Sequence, residues 1–161
     1  MTQVLKKSKN LQILISTKGK KDLTFLDKMF KNCNPTDYSI IVVDQSESEK
    51  DLSAISEKFD IKYYNIQANG LSNSRNFAIS KSSGAICLLC DDDVIYEKDF
   101  YEIIINSFDQ NDSDVITYYA KNDNGSLFKD YPSIINHNYK SISYINSFLI
   151  AFKREKIVAN N

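Results

Sequence analysis

Gly84-Ala-Ile-Cys-Leu-Leu-Cys-Asp-Asp-Asp-Val94 sets five apolar residues, Ile86 to Cys90, directly against three carboxylates. A short run with no polar side chain suits a strand covered on both faces of a sheet. Burying an unpaired charge is costly, so Asp91, Asp92 and Asp93 belong at an open rim or against a cation. In open α/β sheets the crevice beyond the carboxyl ends of the strands is where ligands bind. A hard divalent ion with a phosphate-bearing ligand suits carboxylate oxygens at that place. For three adjacent aspartates taken alone, a solvated acidic turn is the simpler alternative.

Outward from this stretch, strands and helices alternate. On the N-terminal side, Ser82-Ser83-Gly84 marks the end of a helix that starts within Leu71-Ser-Asn-Ser-Arg-Asn-Phe-Ala-Ile79. Ser72 is its expected N-cap, which places Arg75 in the first turn, facing the strand ends. Asn69-Gly70 supplies the turn before it. Further back, strands are expected at Leu11 to Ile15, Ser39 to Val43 and Ile61 to Ile66. Helices are expected from Asp22, with Leu23, Leu26, Met29 and Phe30 at helical spacing, and over Lys50 to Phe59. On the C-terminal side the pattern predicts a helix from Glu97 to Phe108 and a strand from Asp114 to Tyr119. A loop or irregular hairpin follows over Lys121 to Lys140, then a strand from Ile145 to Phe152 and a helix opening at Lys153 to Val158. Alternation of this kind implies right-handed crossovers and a mainly parallel sheet flanked by helices, an α/β fold.

The chain has 161 residues, 42% hydrophobic and 25% charged, the composition of one globular domain covering residues 1–161. Its lysine-rich first ten residues read as a flexible start with no leader or span, so the expected location is cytoplasmic, or peripheral at the inner face of a membrane. A net charge of −1 provides no global field for nucleic acid. Lys18, Lys20 and Lys21 form only a small basic cluster without an aromatic platform. Of three cysteines, Cys87 and Cys90 form a C-x-x-C pair, but within a strand their offset points them to opposite faces, as core residues.

Two motifs are similar to those of family 2 glycosyltransferases of the GT-A fold: Asn69-Gly-Leu-Ser-Asn-Ser-Arg-Asn76, and Gly84-Ala-Ile-Cys-Leu-Leu-Cys-Asp-Asp-Asp93. Ile41-Val42-Val43-Asp44 resembles the family's second strand with its acidic end, and Ser16-Thr17 its first. The resemblance runs from about Leu11 to about Lys156. It implies a GT-A-type, Rossmann-like sheet with its C-terminal part incomplete. The implied activity is transfer of a sugar from a nucleotide-diphosphate sugar, a UDP-sugar first of all, to a saccharide or lipid-linked acceptor, with Mn²⁺ or Mg²⁺ as cofactor. Carried over by position, Thr17 and Asp44 resemble nucleobase-binding residues, and Arg75 the arginine near base and diphosphate. Asp91 to Asp93 resemble the D-x-D element. Asp93, with Asp91, is taken as metal ligand, while Asp91 and Asp92 are the candidates for the ribose side; the register is open by one residue.

The chemistry agrees with that assignment. Sugar transfer leaves negative charge on a departing diphosphate, which a metal and a fixed arginine can stabilise. Simpler uses remain for each residue: Asp44 as a turn-former, Arg75 as a salt-bridge partner of an aspartate, Thr17 as a strand-end hydroxyl. His137, the only histidine, receives no catalytic role. Tyr118, Tyr119, Tyr131, Tyr139 and Tyr144 could stack on acceptor sugars or simply pack. The family's frequent aromatic in the first loop is replaced by Lys18. No general base is identifiable, since the family's base lies beyond the strand that Ser147 to Arg154 resembles. The alternative is therefore a catalytically silent nucleotide- and metal-binding domain: a fragment, a pseudoenzyme or half of a split enzyme. A phosphoryl-transfer domain would want an aspartate where Ser16-Thr17 stands.

Overall fold

The structure, a computed structural model, is described for residues 10–131, 133 and 136–158. The flexible start expected over the first ten residues lies, apart from Asn10, outside them. Six strands form one sheet: β1 (Leu11–Thr17), β2 (Tyr38–Asp44), β3 (Ile61–Asn65), β4 (Ile86–Asp91), β5 (Val115–Thr117) and β6 (Ile150–Lys153). Their order is β3-β2-β1-β4-β6-β5. β1 pairs in parallel with β2 and β4, and β2 with β3, whereas β6 runs antiparallel to both β4 and β5. The expected α/β fold and mainly parallel sheet are observed.

β1 is central, and all seven of its residues are buried. Its side chains alternate between two cores, as the period of a strand requires. Ile13 and Ile15 join Leu88, Cys90 and a group of aromatic rings beneath helices α1 (Phe25–Met29) and α3 (Phe100–Gln110). In that group Phe30 stacks on Tyr96 at 5.2 Å, and Tyr96 lies 4.6 Å from Phe100. Leu14 faces the other way, with Ile41, Val43, Cys87, Ala78 and Phe152. That second face is covered by α2 (Leu71–Lys81) and α4 (Arg154–Val158). Cys87 and Cys90 thus belong to opposite cores. Both thiols are free, and burial raises their pKa values, that of Cys87 to about 11.

Gly84 does more than end a helix. A β-carbon there would stand 2.7 Å from Cβ of Gln12. Buried Gln12 uses its Oε1 to accept the N–H groups of Ser83 and Gly84, at 2.7 and 3.3 Å. Its Nε2 donates to Ser39 Oγ at 3.0 Å. One side chain therefore fixes the entry to β4 against β1 and β2.

Several boundaries differ from expectation. Residues 50–59 form successive turns rather than a helix. Asp51 ties its carboxylate to Ser53, diverting the backbone locally, and only Ile55 and Phe59 of the segment are buried. The first helix begins at Phe25, because Asp22 closes a turn on Thr24 instead. Helix α2 begins two residues early: Gly70 (φ 105°) holds the N-cap position in place of Ser72. Helix α3 starts at Phe100, and the strand expected from Ile145 starts at Ile150, preceded by a 3₁₀ turn at Ile142–Tyr144.

Candidate functional site

Topology marks the place. The chain steps outward from β1 to β2 and β3, then returns through α2 to β4 on the opposite side of β1. Between the carboxyl ends of β1 and β4 the strand order reverses, and such a switch point leaves a crevice. The register puts Thr17 beside Asp44 and Ser16 beside Asp91, so three of the expected residues lie along one rim. A cavity of about 330 Å³ opens there, lined by Ser16, Thr17, Lys18, Gln45, Leu71 and the trio Asp91, Asp92 and Asp93.

The three aspartates are held differently. Asp91, the last residue of β4, accepts a 2.9 Å ion-paired hydrogen bond from Nη2 of Arg75. Asp92 accepts the hydroxyl hydrogen of Thr17 and pairs with the ammonium of Lys20 at 3.1 Å. Asp93 is exposed and has neither a hydrogen-bond nor an ion-pair partner among the described residues. Asp93 is thus the one member of the trio whose carboxylate oxygens are left open at the cavity.

Arg75 stands in the second turn of α2, not the first. Its guanidinium is largely buried and reaches Asp91 from behind the cavity wall rather than lining it. Nε of the same side chain is buried without a hydrogen-bond partner. The α2 N-terminus is fixed to β1 through Ser74, fully buried, whose Oγ lies 3.0 Å from Ser16 Oγ and 2.9 Å from the Leu71 carbonyl.

Asp44 also sits behind the wall, 1% exposed. Its Oδ1 accepts the Ser46 N–H at 2.8 Å, and its Oδ2 accepts the Tyr63 hydroxyl at 3.0 Å. Burial, reinforced by this bond to Asp44, raises the Tyr63 pKa to about 12. What Asp44 presents to the cavity is the turn after it. Gln45 faces the cavity, and its side-chain amide donates to the carbonyls of Ala68 and Gly70.

The structure thus brings Thr17, Asp91, Asp92 and Asp93 to one cavity, with Arg75 and Asp44 as its supports. Residues to which the sequence reading gave no role at the site are Lys20, Gln45 and, although they stand within the motifs, Ser16 and Ser74. Lys20 left only a faint trace, as one of three lysines in the first loop, because its pairing with Asp92 spans distant positions. His137 is exposed, lies 3.3 Å from Thr117 Oγ1 and 3.2 Å from Ser141 Oγ, and is not among the residues lining the cavity. Of the late tyrosines, Tyr119 stacks on Tyr131 at 4.2 Å, and Tyr118 and Tyr119 border a separate, mainly apolar cavity of about 310 Å³.

A mixed, mainly parallel sheet flanked by helices, with an acidic triplet at its switch-point crevice, defines the class as α/β. The chain belongs to glycosyl transferase family 2, whose sequence model matches residues 13–159. Among curated proteins none matches the sequence. In solved structures the same fold occurs in residues 1–349 of S. aureus TarS, at 21% identity and a TM-score of 0.71. The likeness covers 94% of this chain and 49% of that one. S. aureus TarS 1–349 in complex with UDP-GlcNAc gives a TM-score of 0.69 at 21% identity, covering 94% and 47%. The mannosyltransferase PcManGT from Pyrobaculum calidifontis, in complex with GDP-Man and Mn²⁺, gives 0.65 at 12% identity, covering 94% and 46%. The chain therefore spans about half the length of these structures, which share the GT-A fold. Among the described residues, no helix is long and apolar enough to cross a membrane.

Proposed function

We propose that this chain binds a nucleotide-diphosphate sugar in the crevice between β1 and β4 and serves in transfer of the sugar to an acceptor. The observation that carries this reading is the convergence of Thr17 with Asp91, Asp92 and Asp93 on one switch-point cavity, with Asp93 left unpaired. Structures of the same fold in complex with UDP-GlcNAc, and with GDP-Man and Mn²⁺, support it.

The donor set fits a divalent ion of the Mg²⁺ or Mn²⁺ kind. Among the described residues no group of three or more acidic, cysteine or histidine side chains is arranged to hold a metal alone. Such ions need only one or two carboxylates, since substrate phosphates complete the shell. Asp93 is the free ligand, with Asp91 contributing the oxygen that Arg75 leaves open. When bound, the ion stabilises charge on the departing diphosphate as a Lewis acid. Arg75 keeps Asp91 oriented and adds fixed positive charge in a partly dry setting. Thr17 orients Asp92 toward the ribose side. Asp44, its own oxygens occupied, shapes the base side by fixing the Gln45-Ser46 turn. The acceptor is a saccharide or a lipid-linked saccharide, as in polysaccharide assembly at the cytoplasmic face of a membrane.

One observation favours a second reading, donor binding without turnover. Beyond the trio, the cavity lining offers only Ser16, Thr17, Lys18, Gln45 and Leu71, none of them a carboxylate or histidine to take an acceptor's proton. Calorimetry with UDP and GDP, with and without Mn²⁺, tests what both readings share. Metal-dependent binding of one of the two is expected, and Asp93→Ala should remove the metal's contribution, about a hundredfold in affinity. Absence of binding, or an Asp93→Ala variant equal to the parent, overturns both. Release of free nucleotide from UDP- and GDP-sugars then distinguishes a transferase from a silent binder.

A further inference from the structure

The loop between Thr17 and Asp22 brings one cation into the cavity lining and a second onto Asp92, a carboxylate of that lining. Lys18 lines the cavity, with Nζ 2.9 Å from Asn69 Oδ1. Lys20 lies 3.1 Å from Asp92, its ammonium 5.9 Å from the centre of the Phe25 ring. Between them Gly19 adopts φ 77°, a conformation that turns the two lysines about it and that side chains rarely accept. The loop is tethered, because the Gly19 N–H donates to Ser46 Oγ at 2.9 Å and Ser46 N–H in turn donates to buried Asp44. A carboxylate buried at the end of β2 thereby sets the position of a basic loop beside the crevice.

Charge counting shows what that loop is needed for. The three aspartates carry three negative charges, and Arg75 offsets one. A divalent ion would bring the crevice only to neutrality, so that beyond direct coordination it would add no net charge to hold a diphosphate. Lys18 and Lys20 raise the metal-loaded crevice to two positive charges, matching the ligand. An ammonium has three donors, so Lys20 can keep one on Asp92 and offer another to a phosphate oxygen.

Resting on the nucleotide-sugar reading above, we propose that Lys18 and Lys20 form the diphosphate clamp of this site. They recognise the phosphates of a nucleoside diphosphate and contribute nothing to recognition of its nucleoside. The clamp acts with the cation rather than in place of it.

The test is equilibrium binding of UDP and of uridine, or of GDP and guanosine should the guanine nucleotide be the one bound. Both are measured with Mn²⁺, on the full chain and on Lys18→Ala, Lys20→Ala, Lys20→Arg and the double alanine variant. Each alanine should weaken the diphosphate about tenfold and the double variant further, with nucleoside affinity changed less than about twofold. Lys20→Arg should restore most of the loss, and the salt dependence of diphosphate binding should flatten in the double variant. A double variant within about twofold of the parent for the diphosphate overturns the proposal. So does one that loses nucleoside and diphosphate in equal proportion, because the loop would then be only a structural wall. If the parent itself binds neither UDP nor GDP, the nucleotide-sugar reading fails first and the clamp fails with it.

Discussion

The four parallel strands from Leu11 to Asp91 and the antiparallel pair from Val115 to Lys153 share one sheet but rest on different kinds of contact. In the parallel part β1 and β2 are covered on both faces, and Leu11, Ile13, Leu14, Ile15, Ile41, Val42 and Val43 have no exposed surface. Its connections end in short hydrogen-bonded turns, and every residue proposed for the site belongs to it or, like Asp92 and Asp93, directly follows its last strand. In the antiparallel part β5 is three residues long, and the segments around it leave Tyr139 81%, Ile142 66% and Phe128 52% exposed. Burial on two faces gives the first part its stability and holds its strand ends in fixed register. A rim able to place Thr17, Asp44 and Asp91 side by side needs that rigidity, whereas the second part needs only to close the sheet's edge.

The hardest test of this contrast is a pair of truncations read by urea unfolding. Leu88→Ala removes a fully buried side chain from β4 and should cost about 2–5 kcal/mol. Phe128→Ala removes a larger ring that lies half exposed against Phe148 at 5.8 Å, and should cost less than about 1 kcal/mol. Equal losses would mean that the two parts are not stabilised differently after all.

Gly84→Ala sharpens the contrast at the seam where the parallel part organises the strand of the trio. The added methyl would need Gln12 to retreat from a 2.7 Å approach while keeping its three hydrogen bonds. Overpacking of this type costs about 1–3 kcal/mol. Gly125→Ala in the antiparallel part meets nothing within 4 Å, so it should show only the strain of its positive φ, 81°. The midpoints of the two variants in urea, compared with the parent, decide whether Gly84 is there for space.

The same contrast explains what was legible in the sequence. Period-2 and unbroken apolar runs mark strands that packing covers from both sides, so the parallel strands were found within two residues of their ends. The trio was legible because three adjacent carboxylates after an apolar run have few places to go. Residues 50–59 misled because Leu52, Ile55 and Phe59 have helical spacing while Asp51 and Ser53 close a turn on each other. Spacing records which side chains are buried, not which backbone bonds bury them. Residues 145–149 read as strand for a similar reason: Leu149 is buried, but from a turn on Asn146. Pairings between distant positions, such as Lys20 with Asp92, Gln12 with Gly84 and Ser46 with Gly19, leave no periodic trace. They became visible only in the fold.

The smallest effect concerns the support beneath Asp44. Tyr63 donates to Asp44 Oδ2 and accepts the Lys50 N–H, so Tyr63→Phe leaves two groups short of a partner. At pH 7 this should cost about 1 kcal/mol. The ordinary tyrosine pKa is near 10, and in the folded chain that of Tyr63 is raised to about 12, by burial first and then by Asp44. Above pH 10 the unfolded chain therefore ionises this phenol before the folded chain does. The contribution is complete below pH 10 and disappears as pH climbs through 12. Cys87 and Cys33, raised to about 11, also weaken the fold in alkali, but equally in parent and variant, so they cancel in the difference. Melting temperatures of the two proteins should lie apart at pH 7 and approach each other between pH 10 and 12. A gap that stays constant over that window would show that Tyr63 is not held protonated by its surroundings, and that the anchor under Asp44 is looser than the parallel part's burial implies.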